Sequence, residues 1–232
     1  MTSEGARTRD GKNGRTILRR TEEKAAAGEP FFRAAGFHKP HLPWTAPKTF
    51  FNLDPPGSLT PRAEPALRDV PPIARQTELS GLTQPDSRVA AIRGYYAGVS
   101  FTDAQVGMLL DQLDRWKLWE KTGGVLVGDN GFHLGDYGSR WAKLSAFDAA
   151  TRAPLIMARA GVPAGRVVAT PVALLDIYPT LAELTHAAAP GGLEGRSWVG
   201  LMQGKSKGSR RAASSMVFTT MPRGAPTCSG AR

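Results

Sequence analysis

Val125-Leu126-Val127-Gly128-Asp129-Asn130-Gly131-Phe132-His133-Leu134-Gly135-Asp136 is the stretch on which the fold of this chain turns. A short β-branched apolar run ends in Asp-Asn-Gly, so a carboxylate and a carboxamide stand side by side where a buried strand meets solvent. In open α/β sheets ligands bind outside the carboxyl ends of the strands. Two adjacent hard oxygen donors in that position suit calcium or magnesium. Asn-Gly is equally a strong turn signal, and a plain hairpin accounts for the same residues.

The charge balance narrows the function classes. The chain of 232 residues carries a formal net charge of +10, but the excess lies at the two ends. Residues 1–24 hold seven Lys or Arg against four Asp or Glu, and residues 203–232 hold six Lys or Arg and no acid. The middle is nearly neutral, whereas a nucleic-acid binder concentrates its basic face on the folded part. No specific nucleic-acid partner is expected. No apolar run approaches the roughly 20 residues of a membrane span, and the first residues, Met1–Arg7, lack the apolar core of a signal peptide. With one cysteine, Cys228, an intrachain disulfide is impossible and a Cys-rich zinc site is excluded.

Working outward from the Asp-Asn-Gly stretch, residues 1–28 read as a polar N-terminal segment in which Thr16–Ala27 forms a mostly solvated helix. Pro30–Phe37 reads as a buried strand leading into His38-Lys39-Pro40-His41-Leu42-Pro43-Trp44, a loop stiffened by its prolines. Residues 52–87 contain seven prolines and read as a long irregular excursion. From Asp86 to Trp119 the period becomes helical, with Val89, Ile92, Tyr96, Val99, Val106, Leu109, Leu110 and Leu113 as one apolar stripe facing a sheet. Arg93, Asp103, Gln105 and Gln112 fall between them. After the Gly124–Val127 strand come a second strand at Ala153–Ala158 and a helix at Leu174–His186. Strands alternating with helices indicate an α/β layered fold. The Gly-, Ser-, Lys- and Arg-rich stretch 205–232 has no core pattern and reads as a disordered basic tail.

Three loop clusters carry potential chemistry: His38-Lys39-Pro40-His41, Asp129-Asn130, and Arg140-Trp141-Ala142-Lys143. If their loops share one edge of the sheet, they supply metal ligands, an imidazole and an ammonium. That set suits an enzyme acting on a tetrahedral anion, with cations stabilising charge on sulfuryl or phosphoryl oxygens. Each also has a structural explanation: a solvated loop histidine, a surface lysine, and a His133 that packs under its loop.

Pro30–Pro43, Arg93–Gly107, Gly128–Asp136, Trp141-Ala142-Lys143, Asp176–Leu181 and Leu193–Ser197 together resemble, in order, the corresponding motifs of sulfatases, especially the iduronate-2-sulfatase-like branch. The resemblance covers about residues 28–204. It implies an alkaline-phosphatase-like α/β/α sandwich and sulfate-ester hydrolysis, in which a cysteine converted to formylglycine attacks sulfur and a calcium ion holds sulfate and nucleophile. Carried over by position, Asp129 and Asn130 are the metal ligands of one Ca2+ site. His38 and Lys143 are the catalytic, sulfate-contacting residues, His38 as proton donor to the leaving oxygen. His41 is a further substrate contact.

The chain also departs from the family pattern. No Cys-x-Pro-Ser-Arg motif and no Asp-Asp ligand pair occur in the 37 residues before His38. Cys228-Ser229-Gly230-Ala231-Arg232 imitates the spacing with Gly where Pro belongs and at the wrong end. Tyr137 stands where His is common, and Ser139 reads as a one-residue insertion. The expectation is a partial sulfatase domain over 29–204, flanked by the segments 1–28 and 205–232. Its first strands and nucleophile are missing, so its calcium site is incomplete and the chain alone has little or no activity. The sulfated partner is a small molecule or a glycan. Relatives are commonly exported. The alternatives are a non-catalytic remnant binding calcium or sulfated glycans, and a phosphoryl-transfer relative of the same superfamily.

Overall fold

The computed structural model describes residues 3–61, 70–71, 82, 84–206, 212–219 and 227–231. The chain divides into two compact units. One comprises Met1–Ala66, Leu79–Thr122 and Leu134–Arg140; the other comprises Leu67–Glu78, Gly123–His133 and Trp141–Arg232.

The first unit is helical. Helices α1 (Ser3–Arg7) and α2 (Arg9–Ala26) lie at the N-terminus. Thr8 caps α2, its hydroxyl accepting the Gly11 N–H at 3.0 Å and so satisfying one of the orphan donors of the first turn. The helix therefore begins seven residues before the Thr16 start read from the sequence. Over Thr16–Ala27 only Thr21 is buried, so that part of the helix is mostly solvated as expected, while the earlier turns bury Asp10, Gly11 and Gly14. After it, Pro30–Phe37 joins no strand ladder, and Phe32 is 78% exposed. The expected buried strand is thus a strap. Asn13 of α2 donates to the Gly36 carbonyl at 3.1 Å, so a helix side chain satisfies a backbone acceptor that a neighbouring strand would otherwise take, and Arg33 of the strap donates to the Arg20 carbonyl of α2 at 3.4 Å.

Helix α3 (Lys48–Phe51) packs on α4 (Pro85–Arg115), and so does α2. Pro85 opens α4 at its first position, where its missing N–H costs nothing. The buried face of α4 differs from the expected stripe. Tyr96, Val99 and Leu110 are exposed, while Ala91, Ile92, Gly94, Ala97, Gly98, Phe101 and Gln105 are buried. Backbone approach decides this: a Cβ on Gly94 would sit 2.9 Å from the Cβ of Trp44, so small residues let the His38–Trp44 loop lie directly on the helix. Polar residues of α4 pin the neighbouring segments. Arg93 donates to the Asp54 carbonyl at 2.6 Å and the Phe51 carbonyl at 2.9 Å, and Gln112 to the Leu18 carbonyl at 2.9 Å.

In the second unit β1 (Gly124–Val127) pairs antiparallel with β4 (Leu155–Ala158), Val127 opposite Leu155. Between them in sequence lie α6 (Asp148–Thr151) and, before it, β2 (His133–Gly135), α5 (Asp136–Ser139) and β3 (Arg140–Ala142), of which Leu134–Arg140 belongs to the first unit. The β1–β4 pair is not buried as expected: Val127 is 45% and Ile156 62% exposed. A two-stranded ribbon leaves both outer edges unpaired and covers little of its own apolar surface. Leu174–Asp176 forms a 3₁₀ turn that runs into α7 (Ile177–Thr185), with Pro179 tolerated in the first turn. Helix α8 (Val199–Met202) follows. The stretch read as a disordered tail contains a hairpin, β5 (Ser215–Thr219) paired with β6 (Thr227–Ala231), while residues 207–211 and 220–226 lie outside the described residues. Among the described residues no helix is long and apolar enough to cross a membrane.

Candidate active site

The His38–Trp44 loop belongs to the first unit and carries both candidate histidines. His41 N–H closes a turn on the His38 carbonyl at 3.0 Å, around the cis Lys39–Pro40 bond; Leu42–Pro43 is also cis. The turn brings the two imidazoles to 4.9 Å between ring centres. Both engage one acceptor, the Leu42 carbonyl, His38 through Nε2 at 3.0 Å and His41 through Nδ1 at 2.8 Å. A ring nitrogen facing a carbonyl must carry the proton. Neutral His38 is thereby fixed as the Nε2–H tautomer, and its Nδ1 is left to accept, or to donate when the ring is charged.

Two residues that sequence reasoning missed hold this loop. Asp10 accepts the backbone N–H of His38 on Oδ1 at 2.8 Å and that of Lys39 on Oδ2 at 2.9 Å. Thr102 donates to the Lys39 carbonyl at 3.1 Å. Burial pulls the Lys39 ammonium below the usual lysine range, with the Asp10 charge opposing it. Nothing in the sequence pattern marks Asp10, because an acidic residue in a first turn is already explained by the helix dipole.

In the second unit the Asp-Asn-Gly turn is stapled to the segment opposite. Gly128 N–H donates to the Pro154 carbonyl at 2.9 Å and Gly131 N–H to the Ala150 carbonyl at 2.7 Å. Asp129 is exposed and Asn130 half-buried, and neither side chain hydrogen-bonds another described residue. Their oxygens are therefore available as donors, in keeping with a hard cation. Calcium takes six to eight oxygens, however, and among the described residues no group of three or more His, Cys, Asp or Glu is arranged to hold a metal. The two residues fit a cation as part of a ligand set, not as the whole of one.

His133 is fully buried, as expected for a residue packed under its loop, but it also makes a specific bond: its Nε2 lies 2.7 Å from the Ser145 hydroxyl. Ser145 N–H in turn donates to the Lys143 carbonyl at 2.8 Å, so the chain after the Asp-Asn turn is tied to the chain after Lys143. Lys143 itself is half-buried, and its ammonium makes no ion pair or hydrogen bond with another described residue. The preceding residue, Ala142, has φ 87°, a left-handed backbone that a Cβ disfavours. Ala142→Gly is expected to stabilise the chain by about 0.5–1 kcal/mol, the relieved clash outweighing the added freedom of the unfolded glycine. A higher urea midpoint at constant slope is the result that bears this out, and a lower one contradicts it.

A model of the sulfatase family matches residues 12–187, three quarters of the chain. The chain belongs to the sulfatase family. A sulfatase of Formosa agariphila is 35% identical over 184 residues, covering 75% of this chain and 36% of the relative. Human iduronate 2-sulfatase is 35% identical over 177 residues, covering 69% and 31%. The chain thus spans about a third of the length of the curated relatives it matches. Among solved structures, a phosphonate monoester hydrolase of Silicibacter pomeroyi is similar in fold, with a TM-score of 0.80 at 22% identity over 95% of this chain and 46% of that one. A Bacteroides thetaiotaomicron sulfatase named in connection with glycosaminoglycan metabolism gives 0.70 at 21% identity over 91% and 43%. The expected alkaline-phosphatase-like α/β fold is the fold of these neighbours. The family match takes in the His38 loop, the Asp-Asn turn, Lys143 and most of α2, including residues first set apart as a polar segment.

Proposed function

We propose that these 232 residues carry the sulfate-recognition half of a sulfatase active site that hydrolyses sulfate esters of a small molecule or glycan. The observation that supports this most directly is the Asp129-Asn130 pair, stapled by backbone bonds on both sides and with its side-chain oxygens uncommitted. Asp129 and Asn130 would hold calcium, which when bound offsets charge on the sulfuryl oxygens. Lys143 would contact the sulfate with its uncommitted ammonium. His38, with Nε2 occupied by the Leu42 carbonyl, would use Nδ1 to hold or deliver a proton to the leaving oxygen, and His41 would add a second contact.

A second reading, a non-catalytic module that binds calcium or sulfated glycans, is motivated by the basic ends of the chain and by the uncommitted ammonium of Lys143. The phosphonate hydrolase likeness is one of fold and adds nothing to a phosphoryl-transfer reading.

Calorimetry of the 232-residue chain with calcium chloride and then with 4-nitrocatechol sulfate tests the proposal. Calcium heat is expected for the wild type and its loss for Asp129→Ala. Lys143→Ala is expected to weaken the sulfated probe by about 10-fold or more, the worth of one charge-assisted contact. Binding without release of nitrocatechol is the outcome both readings share for this polypeptide alone. Calcium heat unchanged in Asp129→Ala would remove the metal site from either reading.

A further inference from the structure

We infer that Asp10 is a positioning residue of the candidate active site: its buried carboxylate clamps the backbone of His38 and Lys39 and so fixes the His38 imidazole. Asp10 is 2% exposed, 28 residues before His38 in sequence, and uses one oxygen on each of two consecutive amides. Two parallel N–H bonds to one ionised carboxylate are shorter and stronger than neutral ones and set an orientation as well as a distance. The clamp acts on the first residue of the turn that is closed by the His41 amide on the His38 carbonyl. From the other side Thr102 binds the Lys39 carbonyl, so the Lys39 peptide units are held from two helices. A buried carboxylate without such partners would be costly; here both oxygens are spent on this loop. The inference rests on His38 facing the sulfate, as proposed above, but its structural half stands apart from it.

Asp10→Asn keeps the shape, leaves one acceptor and turns the other position into an NH2 facing an amide N–H. In the full 232-residue chain the amides of His38 and Lys39 are expected to exchange with solvent about tenfold faster or more, the equivalent of one lost charge-assisted bond. Amides in the middle of α4 are expected to keep their protection. The His38 ring resonances should shift, and affinity for inorganic sulfate should fall about as far as in His38→Ala. Asp10→Glu serves if Asn prevents folding; its longer arm keeps the charge but misplaces the clamp. Unchanged exchange at His38 and Lys39 overturns the inference outright. Faster exchange with unchanged sulfate affinity, while His38→Ala weakens binding, overturns the positioning role. If His38→Ala leaves sulfate binding untouched, the proposed function of His38 fails instead, and the exchange and ring-shift data alone decide whether Asp10 positions the loop.

Discussion

Gly131→Ala is expected to destabilise the chain by about 3 kcal/mol or more and to abolish the calcium binding proposed for the Asp129-Asn130 turn. An added Cβ would stand 2.0 Å from the carbonyl oxygen of Ala149 and 3.0 Å from its carbon. Both atoms are backbone of α6, so no rotamer change relieves the clash. The chain must move away, and moving breaks the Gly131 N–H bond to the Ala150 carbonyl at 2.7 Å. Overpacking of a tight site and loss of a hydrogen bond add here, each at about 1–3 kcal/mol. Gly107→Ala is the control: it lies in α4 with nothing within 4 Å of the added carbon, and alanine favours the helix. Chemical denaturation of both variants with calcium calorimetry alongside makes the comparison. A Gly131→Ala chain as stable as the control would mean the turn is not held where it stands.

Asp176→Ala is the second large effect, about 3 kcal/mol of destabilisation from two orphaned backbone donors. Asp176 is 2% exposed; its Oδ2 accepts the Ala173 N–H at 2.9 Å and its Oδ1 the Arg196 N–H at 2.8 Å. One turn on, the Thr180 hydroxyl donates to the Asp176 carbonyl at 2.6 Å and accepts the Trp198 N–H at 3.2 Å. The start of α7 thus gathers the segment 193–198 through two side chains one helical turn apart. Because they share that segment, Asp176→Ala and Thr180→Val should be less than additive in a double-mutant cycle. A loss below about 1 kcal/mol for Asp176→Ala would show that other contacts hold the segment in place.

The two carboxylates, Asp10 and Asp176, also mark the limit of what the sequence discloses. Motif order, the β1 strand with its Asp-Asn turn, and the long helix after Asp86 are legible because each is local: a period, a dipeptide, a run of apolar residues. The residues that hold the loops in place are not, since their partners are backbone amides 20 to 29 positions away. The buried face of α4 departs from its apolar stripe for a related reason. A hydrophobic stripe records which side chains are apolar, whereas burial here follows the close approach of the Trp44 loop, which selects Gly94 and Ala97 over Tyr96 and Val99. Pro30–Phe37 has strand composition without a strand, because composition cannot report whether a neighbouring ladder exists.

Pro154 gives the Asp129-Asn130-Gly131 motif its last piece of chemistry. The antiparallel ladder ends at Val127 and Leu155, and the next pair is Gly128 with Pro154. That pair can exchange only one of the two bonds its position calls for, because proline offers a carbonyl and no N–H. The ribbon therefore unzips one residue short of Asp129 by composition alone. A residue with an amide proton at 154 would invite the sheet to grow onto the turn and recruit its backbone into pairing. Proline acts there as a stop codon for the ladder, and the carboxylate and carboxamide beyond it stay free to serve a ligand.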